Sequence, residues 1–264
     1  MTSQATLDLG VSITTFNSER TIRRLLESVR PIARAIAVVD SGSTDATIEI
    51  CREFGIEPVH RVFDNHEHNK AAANRLAESC AWILMMDSDE SIDGVLADSI
   101  CRVLARDDSH TDGFFVVRKL WMDNRWLHYF GYPDRVLRLV RRGHWRMDGL
   151  SPHEALVVDG ATAVLGGTCR HDSYRDFADA RARTARYAEI SAQSIVARGR
   201  AGGGVIDLVV RPVAALAKHA LLQRGILDGL LGWRLSVLAA QGTFRKHLRV
   251  RQLRKASTRS SANT

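Results

Sequence analysis

The pattern of apolar and polar positions changes most abruptly at Trp82–Glu90 (WILMMDSDE), where five apolar residues run into four polar ones, three of them acidic. An uninterrupted apolar run of that length predicts a strand buried on both faces, as in a parallel sheet. Upstream, Leu9–Thr15 (LGVSITT) and Ile36–Val39 read as strands, with a short third around Glu57–His60. The turn Phe16–Glu19 leads into a helix with Ile22, Leu25, Leu26 and Val29 at helical spacing. Asp40–Asp45 (DSGSTD) opens a second helix, Ala46–Phe54. A polar segment, Arg61–Asn69, precedes an Ala-rich third helix, Lys70–Cys80. This alternation predicts right-handed parallel crossovers and a doubly wound α/β sheet.

Beyond a helix at Ile92–Ala105 the pattern changes. Gly113–Leu120, Arg135–Val140, Glu154–Val158 and Ala163–Leu165 read as strands, separated by loops rich in Trp, His, Gly and Pro. They are expected to extend the sheet and build the second wall of a cleft. From Tyr174 the chain turns helical and basic: Tyr174–Arg198, a break at Ala201–Gly204, then Val205–Gln223 and Ile226–Gln241, with Phe244–Thr264 expected to fray. The organisation predicted is an α/β domain over 1–172, in halves 1–105 and 106–172, followed by a helical extension over 173–264.

Charge narrows the partners. The 264 residues carry 37 Lys and Arg against 30 Asp and Glu, a net charge of +7. That excess favours an anionic partner: nucleic acid, a membrane surface or a phosphorylated substrate. Nucleic acid is set aside, because the chain shows no recognised nucleic-acid module and such a role leaves the acidic strand end unexplained. The helices at 205–241 mix Leu, Val and Ile with Arg211, Lys218, Arg224 and Arg234, a composition suited to an anionic membrane interface. Cys51, Cys80, Cys101 and Cys169 show no CxxC spacing, which argues against zinc or a disulfide framework and for a reducing compartment. The N-terminus shows no secretory pattern, and no segment reaches the about eighteen apolar residues of a membrane span. A cytoplasmic protein, able to rest on the inner membrane's cytoplasmic face, is expected.

The candidate chemistry gathers at strand ends, where open parallel sheets bind ligands. Asp87 and Asp89 are two apart and point the same way in extended chain. Such a pair calls for a cation, and a divalent metal carrying a phosphate fits, since Mg²⁺ takes one or two carboxylates and fills its shell with phosphate oxygens and water. The first strand end offers Thr14, Thr15, Phe16 and Asn17, the second Asp40, Ser41 and Ser43. Phe16 supplies a flat apolar face for a base, and Asp40 an acceptor for the ring N–H of uracil. Each site also has a plainer reading, as a turn or helix cap.

Taken together, TTFNSE, VVDSGSTDAT and WILMMDSDE, in this order, resemble the nucleotide-binding half of family 2 glycosyltransferases of GT-A fold. GYPDRVLRLVRR (131–142), SPHEAL (151–156), CRHDSY (169–174) and GILDGLLG (225–232) resemble the lipopolysaccharide core-biosynthesis glucosyltransferases. The resemblance implies that Thr14, Phe16, Asn17 and Glu19 line a uridine pocket, with Asp40 and Ser41 at the base. Asp87 would lie near the ribose and diphosphate. Asp89 would bind Mg²⁺ or Mn²⁺, and His171, beside Asp172, would close over the diphosphate or complete the metal shell. Lys70, Asn74 and Arg75 are alternatives for a further diphosphate contact. The reaction implied is inverting transfer from a UDP-sugar, by default UDP-glucose, to a lipopolysaccharide-core or other lipid-linked acceptor. Glu154 is the expected base, with His153 second and Asp148 a further alternative. Arg135 and Arg138 would hold anionic groups of donor or acceptor, and Trp121, Trp126 and Tyr129 would stack on an acceptor sugar. The rival readings are a scaffold that binds nucleotide sugar without turnover and, ranked below it, a basic nucleic-acid-binding protein.

Overall fold

The apolar runs of the first half become strands of one ten-stranded mixed sheet. The computed structural model describes residues 7–106, 110–148 and 155–261. In chain order it contains β1 (Leu9–Thr15), α1 (Ile22–Val29), β2 (Ala35–Asp40), α2 (Thr47–Glu53), β3 (Val59–His60) and α3 (His66–Leu76). There follow β4 (Trp82–Asp87), β5 (Glu90–Ile92), α4 (Gly94–Arg106), β6 (Thr111–Met122) and β7 (Arg125–Trp126). Then come β8 (Asp134–Arg141), β9 (Trp145–Asp148), β10 (Ala155–Val158), β11 (Ala161–Val164) and β12 (Cys169–His171). Three long helices close the chain: α5 (Phe177–Ala197), α6 (Val205–Ala217) and α7 (Gly229–Ser261).

The sheet order is β3-β2-β1-β4-β8-β6-β12-β5. β1, β2, β3 and β4 pair in parallel, whereas β8 joins β4, and β6 joins β8, antiparallel. Both faces of β4 are covered, as its apolar run requires. Trp82, Leu84 and Met86 enter a core with Leu25, Leu26 and Leu96 from α1 and α4, while Ile83 and Met85 pack with Ala77, Leu137, Val140 and Leu156. Helix α3 lies close on the second face because β1 carries no side chain at Gly10. A Cβ there would sit 2.6 Å from the carbonyl oxygen of Ala77. One turn along, buried Asn74 accepts from the Ser12 hydroxyl and donates to Met85 Sδ at 3.8 Å.

By its contacts the chain divides into two units. The first is Met1–Lys119 with Pro133–Asp172, and the second is Leu120–Tyr132 with Ser173–Thr264. The second therefore includes a segment expected with the α/β domain. Its core gathers Met122, Leu127, Ala180, Leu231, Leu235 and Leu238. The GILDGLLG motif makes a tight corner: a Cβ on Gly232 would fall 2.0 Å from the carbonyl oxygen of Gly225. Its Asp228 accepts from the backbone N–H groups of His128, Tyr129 and Phe130 at 2.7 to 2.9 Å. Helix α7 continues from Gly229 through most of the segment expected to fray, as far as Ser261. Gly242, inside α7, is a packing glycine whose Cβ would meet Thr184 Cγ2 at 2.6 Å. Cys51, Cys80, Cys101 and Cys169 are free thiols.

Candidate active site

Register brings the strand ends to one rim. Thr14 is opposite Asp87, and Thr15 is opposite Asp40. Hydrogen bonds then tie the turns together. The Asn17 N–H donates to Ser43 Oγ at 2.8 Å, the Thr44 N–H to Asn17 Oδ1 at 2.9 Å, and the Ser18 N–H to Thr47 Oγ1 at 2.7 Å. Glu19 accepts from the Ala46 N–H at 3.1 Å. Asn17 adopts φ +49, a left-handed conformation that Asn tolerates. The Ser18 and Ser88 hydroxyls, 2.7 Å apart, link the first turn to the acidic one. Phe16 stands at this rim and is 59% exposed. Thr15 Oγ1 is buried and has no partner among the described residues.

Asp40 does not face outward. It is buried and accepts from the Gly42 and Ser43 N–H groups at 2.8 Å and from Ser43 Oγ at 2.5 Å, which closes the turn; α2 itself starts after Ala46 with no side-chain cap. Ser41 Oγ accepts from Asn69 Nδ2 at 2.7 Å, joining the second turn to α3.

Behind the rim runs a chain of alternating charge. Lys70 Nζ lies 2.9 Å from Asp87 Oδ1, and Arg138 Nη2 lies 2.5 Å from Asp87 Oδ2 and 2.6 Å from Glu90 Oε1. Arg118 joins Glu90 at 3.0 Å to Asp134 at 2.7 Å. The Asp87 N–H donates to Glu90 Oε2 at 3.0 Å. Of the three candidates on α3, Lys70 reaches the rim, whereas Asn74 is buried under the sheet and Arg75 is exposed. Arg138 takes a different place from the one expected. It is 4% exposed and bridges two carboxylates inside the protein, while Arg135 is exposed. Burial alone would raise Asp87, but Arg138 and Lys70 overturn that and hold its carboxyl well below the usual range. Arg138 and Arg118 likewise keep Glu90 below its ordinary value despite burial.

Asp89 has the opposite environment. Among the described residues its carboxylate pairs only with His171, whose Nε2 is 3.7 Å from Oδ2. Burial pushes its pKa up, and the neighbouring Asp87 and Glu90 charges push the same way against the partial offset of His171. It is not the cap of α4 either, since Asp93 Oδ1 accepts from the Leu96 N–H at 2.7 Å. His171 is delivered by pairing of β12 with β5, opposite Glu90. Next to it the Asp172 N–H donates to the Asp89 carbonyl at 2.8 Å. The buried Asp172 carboxylate accepts from Arg24 and from Arg170 Nε, and so pins the end of β12.

These groups fit a divalent cation. Among the described residues no three His, Cys or acidic side chains converge on one point, so a cage made wholly of protein is not present. One carboxylate oxygen and one imidazole nitrogen in an electron-rich corner suit an ion whose other ligands are phosphate and water.

Glu154 and His153 lie outside the described residues. The strands on either side of them pair so that Asp148 stands opposite Ala155. Trp121 and Trp126 pack edge to face at 5.0 Å in the second unit, where Tyr129 also lies. Glu90 and Arg118 escaped sequence reasoning, and Asp172, expected beside His171 at the diphosphate, is buried against Arg24 and Arg170. One signal for the network was present: Arg138 interrupts the apolar run VLRLV, and a charge on a buried strand requires a buried partner.

The model of the family described as "Glycosyl transferase family 2" matches residues 11–158. The chain belongs to glycosyl transferase family 2. This membership agrees with the α/β GT-A architecture and C-terminal helices described above. Among its relatives, the lipopolysaccharide core biosynthesis glycosyltransferase LpsC of Rhizobium meliloti is 30% identical over 166 residues, 58% of each protein. The chain thus spans less than two thirds of that relative. An uncharacterized glycosyltransferase of Rickettsia typhi, RT0209, is 23% identical over 96% of this family 2 chain and 88% of its own length. The crystal structure of glucosyl-3-phosphoglycerate synthase from Mycobacterium tuberculosis with Mn²⁺ and UDP-glucose aligns at a TM-score of 0.35, with 20% identity over 43% of each chain.

Proposed function

We propose that this family 2 glycosyltransferase moves a sugar, by default glucose, from a UDP-sugar to an acceptor hydroxyl on lipopolysaccharide core or another lipid-linked glycan, with inversion. The observation that carries the reading is the asymmetry of the acidic motif: Asp87 is saturated by Lys70 and Arg138, and Asp89 is left facing His171. The likeness to LpsC supports the acceptor class.

In this reading the exposed face of Phe16 stacks on uracil, and Thr14, Asn17 and Glu19 shape the turn around it. Asp40 and Ser41 hold the second turn in place. Asp87, fixed from two sides, orients the ribose and diphosphate, and Lys70 adds positive charge beside them. Asp89 and His171 would hold Mg²⁺ or Mn²⁺, which when bound neutralises the departing diphosphate. Glu154, or else His153, takes the proton of the attacking hydroxyl from the face opposite the leaving group. Arg135 is assigned to an anionic group of the acceptor.

The test is UDP release from UDP-sugars, with and without acceptor, by the wild type and by Glu154→Gln. Loss of acceptor-dependent turnover by about 10²-fold or more, with donor binding kept, is expected. Unchanged turnover in Glu154→Gln would move the base elsewhere. Donor binding without turnover on any acceptor in the wild type would favour the scaffold reading.

A further inference from the structure

Helix α6 inverts the usual arrangement of a surface helix. Val205, Ile206, Val209, Val210 and Val213 share one helical face, and each is more than half exposed. No α6 residue is fully buried. Exposed apolar side chains continue along the chain at Leu221, Leu222, Leu227, Leu230 and Trp233. Exposed apolar surface on this scale marks an interaction site.

Charge identifies the partner. Val205–Ser261 holds eleven Lys and Arg against two acids, whereas the rest of the chain holds 26 against 28. The whole positive excess therefore lies in these last helices. Both acids are engaged internally: Asp207 with the Gly204 N–H and Arg211, and Asp228 with the backbone of 128–130. Arg211, Lys218, Arg224 and Arg234 are exposed. Arg234, next to Trp233, also lines a hollow of about 620 Å³ with Arg181, Arg245 and Phe177, and no carboxylate lines it. Its guanidinium lies 3.9 Å from the Phe177 ring centroid.

We propose that this face docks on an anionic lipid surface. The Val and Leu side chains enter the acyl boundary, and the guanidiniums of the hollow receive headgroup phosphates. A symmetric contact between two copies would set the same cations against each other. An aliphatic face offers nucleic acid neither stacking nor hydrogen bonds. Among the described residues no helix is long and apolar enough to cross a membrane, so the contact is interfacial. The inference does not depend on the donor chemistry.

Co-sedimentation of the full chain with vesicles tests it, using phosphatidylcholine alone and mixed equally with phosphatidylglycerol. Binding to the mixed vesicles, weakened by salt and at least tenfold weaker in Val209→Asp/Val213→Asp and in Lys218→Glu/Arg245→Glu, is expected. All four positions are exposed, and unchanged circular dichroism and UDP-induced stabilisation would show that fold and donor site persist. Equal binding to both vesicle types, or undiminished binding by either variant, would overturn the proposal. So would a wild-type dimer in light scattering that Val209→Asp/Val213→Asp dissociates, which would make the face a contact between copies.

Discussion

The two units break the ordinary partition of residues in opposite directions. In the first, charge goes inside: Asp87, Glu90, Arg118 and Arg138 form a partly to fully buried network under the strand ends. In the second, apolar side chains go outside, along α6 and the start of α7. Neither departure stabilises a fold by itself. Buried ions lose hydration that pairing only partly restores, and exposed valines keep the hydration cost that burial would remove. Rules that hold elsewhere in a chain tend to fail where it meets something else. The polar ligand proposed at the first departure and the lipid surface proposed at the second would account for both.

The largest effect should come from breaking the inner network. Arg138→Met leaves two carboxylates with too few cations, and loss of one partner from a buried pair costs about 3–5 kcal/mol. The urea midpoint measures it. A loss below about 1 kcal/mol, typical of exposed pairs, would show that the network is not what holds the rim. Gly10→Ala should follow, at about 1–3 kcal/mol for overpacking, because α3 must retreat from the sheet. Lys70 would move with it, so UDP affinity should fall as well, as calorimetry would show. Ser88→Ala removes the bond to Ser18 and should cost about 1 kcal/mol in the same urea assay.

The smallest effect lies in the second unit. Burial holds His219 and His247 below their ordinary 6.5, and nearby Lys246 adds to the effect at His247. The unfolded chain therefore binds protons that the folded chain refuses. Stability is fully present above pH 6.5 and falls as pH drops toward the folded values. Thermal melts from about pH 7.5 to about pH 5.5 should show this decline, flattened in His219→Gln/His247→Gln.

Much of the first unit was legible in the sequence. β1 runs from Leu9 to Thr15 as its pattern indicates, and the four apolar residues spaced along α1 are its buried ones. Helix α3 begins earlier than expected, at His66, because Asn65 caps it by accepting from the His68 N–H; a polar first turn has no apolar period to reveal it. β5, β7, β9 and β12 were missed, since strands of two to four residues are too short to show alternation. At the site, strand-end chemistry was readable from residue types. Which carboxylate would be paired was not, because Arg138 and Arg118 arrive from strands about 30 to 50 residues downstream, and the pairing depends on an antiparallel register that no local pattern records.

The most direct test concerns Asp89. Thermal stability of the wild type and Asp89→Asn is measured with UDP, with and without Mg²⁺ or Mn²⁺, since a ligand that binds the folded state raises apparent stability. The wild type should gain a metal-dependent shift. Asp89→Asn should lose that shift while its unliganded stability holds or rises, because the charge removed faces Asp87 and Glu90. A full metal-dependent shift retained in Asp89→Asn would contradict the account.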